Sequence, residues 1–303
     1  MADLPEKQTK VAVVKTGDRR EGVRRSIELL GINPAAGKSV LLKPNFNTAD
    51  FFPGSTHPDT LRELVWALQD MDAREITIGE RSGPPKTAQV MEDLGVLPLA
   101  EELGVQVVNF DELSPEELVQ VNPPGSHWKD GFLVPRCLQE AECVVATPCL
   151  KTHQFGGIFT MALKLAVGIT PKEGTSFMQE LHSSPHMRKM ISELNVGYHP
   201  DLIVLDGMEA FVEGGPMTGT RKQASLFLAG TDRVAIDAVA LAVLKKLGST
   251  PDIMGRGIFE QEQITRAVEL GLGITSPAEI ELVTGDEESA AYAQKLRSIL
   301  DQG

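Results

Sequence analysis

The chain has 303 residues, 42% of them hydrophobic and 23% charged, and 42 acids against 29 bases leave a net charge of −13. That balance argues against nucleic acid or an anionic membrane surface as the main partner, since both need a cationic face. The length allows about two domains, or one large α/β domain whose core needs no disulfide or metal staple.

Residues 1–10 are polar and lack the apolar segment of a secretion signal, and Arg19-Arg20 is followed by more charge rather than by an apolar run. The longest weakly charged stretch, residues 155–168, contains Lys164 and falls short of the roughly 20 residues a membrane span needs. Cys137, Cys143 and Cys149 are too few for a disulfide framework. A cytoplasmic protein is expected.

Taken in order, short β-rich runs at residues 11–14, 39–42, 75–78, 105–108, 143–146, 202–205, 225–228 and 280–283 alternate with helical patterns. Val23, Ile27 and Leu30 follow the first strand at i, i+4 and i+7, with Gly31 placed to cap that helix. Pro58 opens a second helix with Leu61, Leu64, Val65 and Leu68 on its apolar face. Asp232 is placed to cap a helix reaching about Leu247, and Tyr292, Leu296, Ile299 and Leu300 mark a C-terminal helix over about 287–301. The alternation predicts an α/β fold: a mainly parallel, Rossmann-like open sheet with helices on both faces. One large domain over residues 1–303 is expected, with a core at about 11–285 and room for two lobes. They would meet at an irregular insertion of about 114–136, rich in proline.

In open parallel sheets, ligands bind beyond the carboxyl ends of the strands. The residues there are Lys43 and Asn45, Glu80 and Ser82, Lys151, Thr152 and His153, then Asp206, Glu209 and Asp232. Any one of them reads equally well as an ordinary polar loop residue, the Asp and Ser among them as helix caps, but the fold would gather the whole set on one edge. Lys164 is the one charged residue in 156–168, so it must snorkel, pair with an acid, or accept a lowered pKa. Asp237 shares a helix face with Val234, Leu241 and Leu244 and needs a partner, either Arg233, Lys164, a metal or a substrate. The Gly-Gly-Pro-Met-Thr-Gly run from Gly214 suits a tight turn or lid, and Gly215 could offer its backbone N–H to an anion. Cys149 flanks Lys151 and reads as a small hydrophobe, a thiolate or a soft ligand.

These motifs together resemble the family known as domain of unknown function 362. The resemblance rests on Leu42-Lys43-Pro44-Asn45, Gly79-Glu80-Arg81-Ser82-Gly83, Leu150-Lys151-Thr152-His153, Ala162-Leu163-Lys164-Leu165 and Leu205-Asp206-Gly207-Met208-Glu209. It continues through Gly214-Gly215-Pro216-Met217-Thr218-Gly219 and Gly230-Thr231-Asp232-Arg233-Val234-Ala235-Ile236-Asp237. The family implies no general activity. Many members look fused to ferredoxin-like domains, but the cysteines here follow Cys-x5-Cys-x5-Cys and match no cluster motif, so no ferredoxin-type cluster is expected.

The residues favour an enzyme that binds a small anionic metabolite, a carboxylate or phosphate, and does acid/base chemistry such as isomerisation or racemisation. His153, Lys164 and Lys151 would be catalytic. Lys43, Asn45, Glu80, Ser82, Thr152 and Gly215 would bind substrate. Asp206, Glu209 and Asp237 would hold a divalent cation, magnesium or manganese. The alternative is a non-catalytic carrier or accessory protein of redox metabolism, which would hold a metal, cluster or cofactor through Cys149 and His153 for a redox protein partner.

Overall fold

In the computed structural model, which describes residues 8–172 and 175–302, the eight β-rich runs and four further segments form twelve strands among the described residues. They are β1 Thr9–Lys15, β2 Ser39–Lys43, β3 Glu75–Glu80, β4 Gln106–Asn109, β5 Leu118–Val121, β6 Phe132–Pro135, β7 Cys143–Ala146, β8 Cys149–His153, β9 Ile158–Thr160, β10 Leu202–Gly214, β11 Gly219–Gly230 and β12 Ile280–Val283. The main sheet runs in the order β12-β1-β11-β10-β7-β2-β3-β4, with β8 joined to β10 and β9. Pairing is parallel for β12–β1, β10–β7, β10–β8, β7–β2, β2–β3 and β3–β4. Only β11, against β1 and β10, and β9, against β8, run antiparallel within it. This is the mainly parallel α/β sheet expected from the sequence.

Successive strand residues point to opposite faces, and both faces are covered. Ala12 and Phe227 pack on one side with Val23, Leu61, Leu64 and Leu99 from the helices Arg19–Leu30, Pro58–Asp70 and Val96–Leu103. Val11, Val13, Leu226 and Leu228 pack on the other with the Arg233–Leu247 and Glu287–Leu300 helices. Gly31 is left-handed at φ 64° and caps its helix. Asp232 accepts the backbone N–H groups of Val234 and Ala235. The expected insertion contains the β5–β6 hairpin, seated with Phe132 and Val134 on a separate cluster that includes Leu181, Met190 and Leu194.

Two segments differ from the sequence expectation. Residues 149–153, expected as loop, and 158–160, for which no strand is expected, are strands β8 and β9. Pro148, which has no N–H to give a ladder, interrupts what would be one strand from Cys143 to His153, and its carbonyl accepts the Asp206 N–H at 3.1 Å. Residues 206–214, read as loop, extend β10, because the register shift between Gly207 and Glu209 absorbs the irregular stretch. No helix among the described residues is long and apolar enough to cross a membrane.

Candidate functional site

Lys43 and Glu80 close the adjacent parallel strands β2 and β3, so their side chains meet where ligands of such sheets bind. Lys43 Nζ lies 2.6 Å from Glu80 Oε1, and both side chains are buried. Glu80 also accepts the backbone N–H groups of Arg81 at 2.7 Å and Phe46 at 3.0 Å, while Lys43 donates to the Pro44 carbonyl at 3.0 Å. Burial pulls the lysine's pKa down and the carboxyl's up, and the contact opposes both. The ion pair is the form these donors and acceptors solvate. Gly168 packs against the pair: a Cβ there would come within 2.4 Å of Glu80 Oε1 and 2.9 Å of Lys43 Nζ. Only glycine lets the 3-10 turn Lys164–Ile169 close over it.

Three further cations gather beside this pair. The Arg81 guanidinium is buried and donates to the carbonyls of Thr170 at 2.7 Å and Ser82 at 3.0 Å, and also to that of Val167. Lys151, on β8, donates to the Gly54 carbonyl at 2.5 Å. Lys164 is buried and has no hydrogen-bond or ion-pair partner among the described residues. A cavity of about 40 Å³ is lined by Lys43, Asn45, Asn47, Glu80, Arg81, Thr160, Lys164 and Gly168, with Pro216 from the β10–β11 turn in its wall. That is room for a carboxylate-sized group or a few water molecules. Lys151 sits directly across from Thr160 in the β8–β9 ladder, so the two share a face. Burial, with Lys151 and Arg81 as neighbours, pushes Lys164 down to about 7. Burial pushes Lys151 down to about 8, against the pull of Cys149, Asp50 and Glu80. Thr160 Oγ1 is buried with no partner among the described residues.

His153 is placed differently from the expectation of a general acid/base. Its Nδ1 accepts the Gly157 backbone N–H at 3.1 Å, so the neutral ring carries its proton on Nε2. Burial, then Lys164 and Lys151, hold its pKa down to about 2. A group so held is a hydrogen-bond donor at neutral pH, not a base. It lines a second, larger cavity of about 420 Å³ with Thr152, Arg188, Glu213 and Asp252.

The three acids expected to hold a divalent cation are not brought together. Asp206 is buried, accepting from Arg19 Nε at 3.1 Å, Thr60 Oγ1 at 2.5 Å and the Met208 N–H at 3.0 Å. Asp237 accepts the N–H groups of Ala162 at 2.7 Å and Leu163 at 3.0 Å, so neither Arg233 nor Lys164 is its partner. Glu209 lies 3.5 Å from Arg221 at the surface. Their oxygens are engaged by protein donors, and among the described residues no group of three or more His, Cys, Asp or Glu side chains could hold a metal ion. This donor set does not fit the expected cation.

Other sequence candidates are also corrected. Cys149 is buried and its thiol is pushed up to about 11 by burial, so it is neither an accessible thiolate nor a ready soft ligand. The Gly215 N–H donates to the Thr218 carbonyl at 2.7 Å and closes a turn rather than facing an anion. With φ 69°, Gly215 passes so close to β8 that a Cβ would lie 2.1 Å from the Thr152 carbonyl. The Thr152 hydroxyl donates to the Gly214 carbonyl at 3.1 Å and ties hairpin to strand. Asn45 lines the cation cavity and donates to the Gly54 carbonyl at 3.1 Å. Ser82 is buried beside Arg81 with its hydroxyl unpartnered among the described residues. The sequence reading passed over Arg81, although it lies between Glu80 and Ser82 in a motif already singled out. It also passed over Thr160, whose position across from Lys151 needs the β8–β9 pairing to be seen.

The family description known as domain of unknown function 362 matches residues 40–242, a span holding every residue of this cavity. The chain belongs to that family. A thylakoid-associated protein of Synechocystis sp. is 27% identical over 258 residues, covering 80% of this chain and 74% of that protein. Among solved structures, the apoprotein of lactate racemase from Thermoanaerobacterium thermosaccharolyticum aligns over 97% of this chain and 88% of its own, at 16% identity and a TM-score of 0.45. A Thermotoga maritima protein aligns over 75% of this chain and 56% of its own, at 14% identity and a TM-score of 0.46.

Proposed function

We propose that this family member is an enzyme that binds a small carboxylate in the cation-lined cavity and moves a proton at the neighbouring carbon, as an isomerase or racemase does. The observation that carries the reading is the charge balance of the cavity. Lys43, Arg81 and Lys164 line it and Lys151 stands behind it, while among the described residues Glu80 is the one carboxylate in its wall and is taken by Lys43. Buried cations without counter-ions cost several kcal/mol each, and a bound anion supplies the missing charge. A carboxylate fits the small volume better than a phosphate with its extra oxygens.

Held between Arg81 and Lys43, the carboxylate would place its next carbon toward Lys164. An amine with a pKa of about 7 in the free protein, raised by the bound carboxylate, stays close enough to neutral pH to take the proton and return it. The surrounding cations would stabilise the negative charge that develops on the carboxylate oxygens. No step needs the cation expected from the sequence.

The test is calorimetric titration with acetate, glycolate, lactate, malate and inorganic phosphate. For every acid that binds, magnetic resonance in deuterated water then follows loss of the carbon-bound proton. Binding of at least one carboxylate ahead of phosphate, with exchange at the adjacent carbon, is expected. Failure of all the carboxylates to bind removes the proposal. Binding without exchange leaves an anion-binding protein and removes the enzyme.

A further inference from the structure

Of the three lysines buried at this site, Lys43 has Glu80 and Lys151 has the Gly54 carbonyl. Lys164 alone has neither acid nor carbonyl among the described residues, although its amine shares a cavity with Lys43 and Arg81. An ammonium largely removed from water and given no acceptor by the protein is costly, a neutral amine in the same place much less so. The fold surrounds Lys164 with positive charge and apolar neighbours such as Leu165 and Val167, and that brings the neutral form within reach at neutral pH. A neutral amine with an available lone pair is a nucleophile as well as a base.

We propose that Lys164 forms an imine with the carbonyl of a 2-oxo acid whose carboxylate is held by Arg81 and Lys43. The inference rests on the carboxylate site proposed above, and gives Lys164 the part of a nucleophile toward a 2-oxo acid in place of that of a base. The shared cavity indicates which carbonyl is meant. With the carboxylate between Arg81 and Lys43, the carbon nearest Lys164 is the one bonded to the carboxylate, because the three side chains line the same small cavity. The Lys164 Nζ lone pair adds to the carbonyl carbon and gives a carbinolamine. The oxygen then leaves as water with the amine's two hydrogens, and a carbon–nitrogen double bond replaces the carbon–oxygen one. No electrons are gained or lost overall. The bound carboxylate balances the charge of the protonated imine.

The experiment uses the full chain at pH 7 with glyoxylate as probe and borohydride as trap. Hydride adds to the imine carbon and leaves a stable carboxymethyl group, which peptide mass analysis locates. An exposed lysine of ordinary pKa holds about a thousandfold less neutral amine at this pH than a group with pKa about 7. Lys164 is therefore expected to label at least tenfold faster than the exposed Lys86 and Lys295, and acetate is expected to protect it. If glyoxylate binds by calorimetry but Lys164 labels no faster than Lys86, the imine is wrong while the carboxylate site stands. If acetaldehyde, which has no carboxylate, labels Lys164 as fast as glyoxylate and acetate gives no protection, both this inference and the carboxylate reading fail.

Discussion

Three buried acids of this protein and two of its buried amines, Lys151 and Lys164, are treated in opposite ways. Asp206, Asp237 and Glu193 lie in different parts of the fold, and each is answered by the protein. Asp206 takes an arginine, a threonine and a backbone N–H. Asp237 takes two backbone N–H groups. Glu193 takes Ser126 Oγ, the His127 N–H, the His127 ring and Arg266. Lys151 has one carbonyl, and Lys164 has no partner among the described residues. Fully answered charges hold elements together: Asp237 pins the segment before the 3-10 turn to the Arg233–Leu247 helix, and Glu193 pins the insertion to two helices. Charges left short of partners are poised for something that arrives from outside.

The sharpest way to break this contrast is Lys164→Met, which keeps the side chain's bulk and removes the amine. The proposed proton exchange is expected to fall by about 10²–10⁴-fold, the usual worth of a positioned acid/base. The unliganded protein is expected to become more stable at pH 7, by up to about 4 kcal/mol, because the unfolded chain no longer gives up a solvated ammonium of ordinary pKa. Urea unfolding and the exchange assay report the two halves. Loss of stability together with loss of activity would make Lys164 a structural residue and undo the comparison.

Asp237→Ala tests the other side. It leaves the Ala162 and Leu163 N–H groups buried and unpaired, so a loss of about 3 kcal/mol is expected in urea unfolding. Carboxylate affinity by calorimetry should change less than twofold, because Asp237 does not line the cavity. A large drop in affinity with intact stability would place this acid in the binding machinery instead.

The sequence made the sheet legible and the division of labour among its charged residues much less so. Eight strands could be located because apolar runs of strand length, separated by helical periodicity, have few other solutions. Lys43, Glu80, Lys151 and Lys164 could be singled out because a charge at a strand end or in an apolar run is expensive. The pairing of β8 with β10 is a non-local event that no local pattern records, and the short β8–β9 hairpin that sets Lys151 across from Thr160 lacks the apolar alternation that marks a strand. Partnering was equally invisible. Asp237 lies on a buried helical stripe and reads as a candidate ligand, yet its partners are backbone N–H groups 74 and 75 residues away. His153 looked like a base until the Gly157 N–H fixed which ring nitrogen carries the proton.

The smallest effect expected is in pH dependence, and its sign follows from the amines. An anion binds their protonated forms, whose pKa values in the free protein are about 7 for Lys164 and about 8 for Lys151. Affinity should therefore be greatest below about pH 7. It should fall by at most about tenfold per unit as Lys164 loses its proton, and more steeply once Lys151 follows. Binding in turn raises both pKa values, so carboxylate titration should take up protons most strongly above about pH 8, on the steeper limb. Lys151→Met should remove the steeper limb and keep the first. The buried acids predict no such dependence, since their partners are in place whether or not a ligand is present. Carboxylate affinity that stays flat from pH 6 to pH 9 would mean that neither amine meets the anion, and the two sets of buried charges would then differ in nothing that matters for binding.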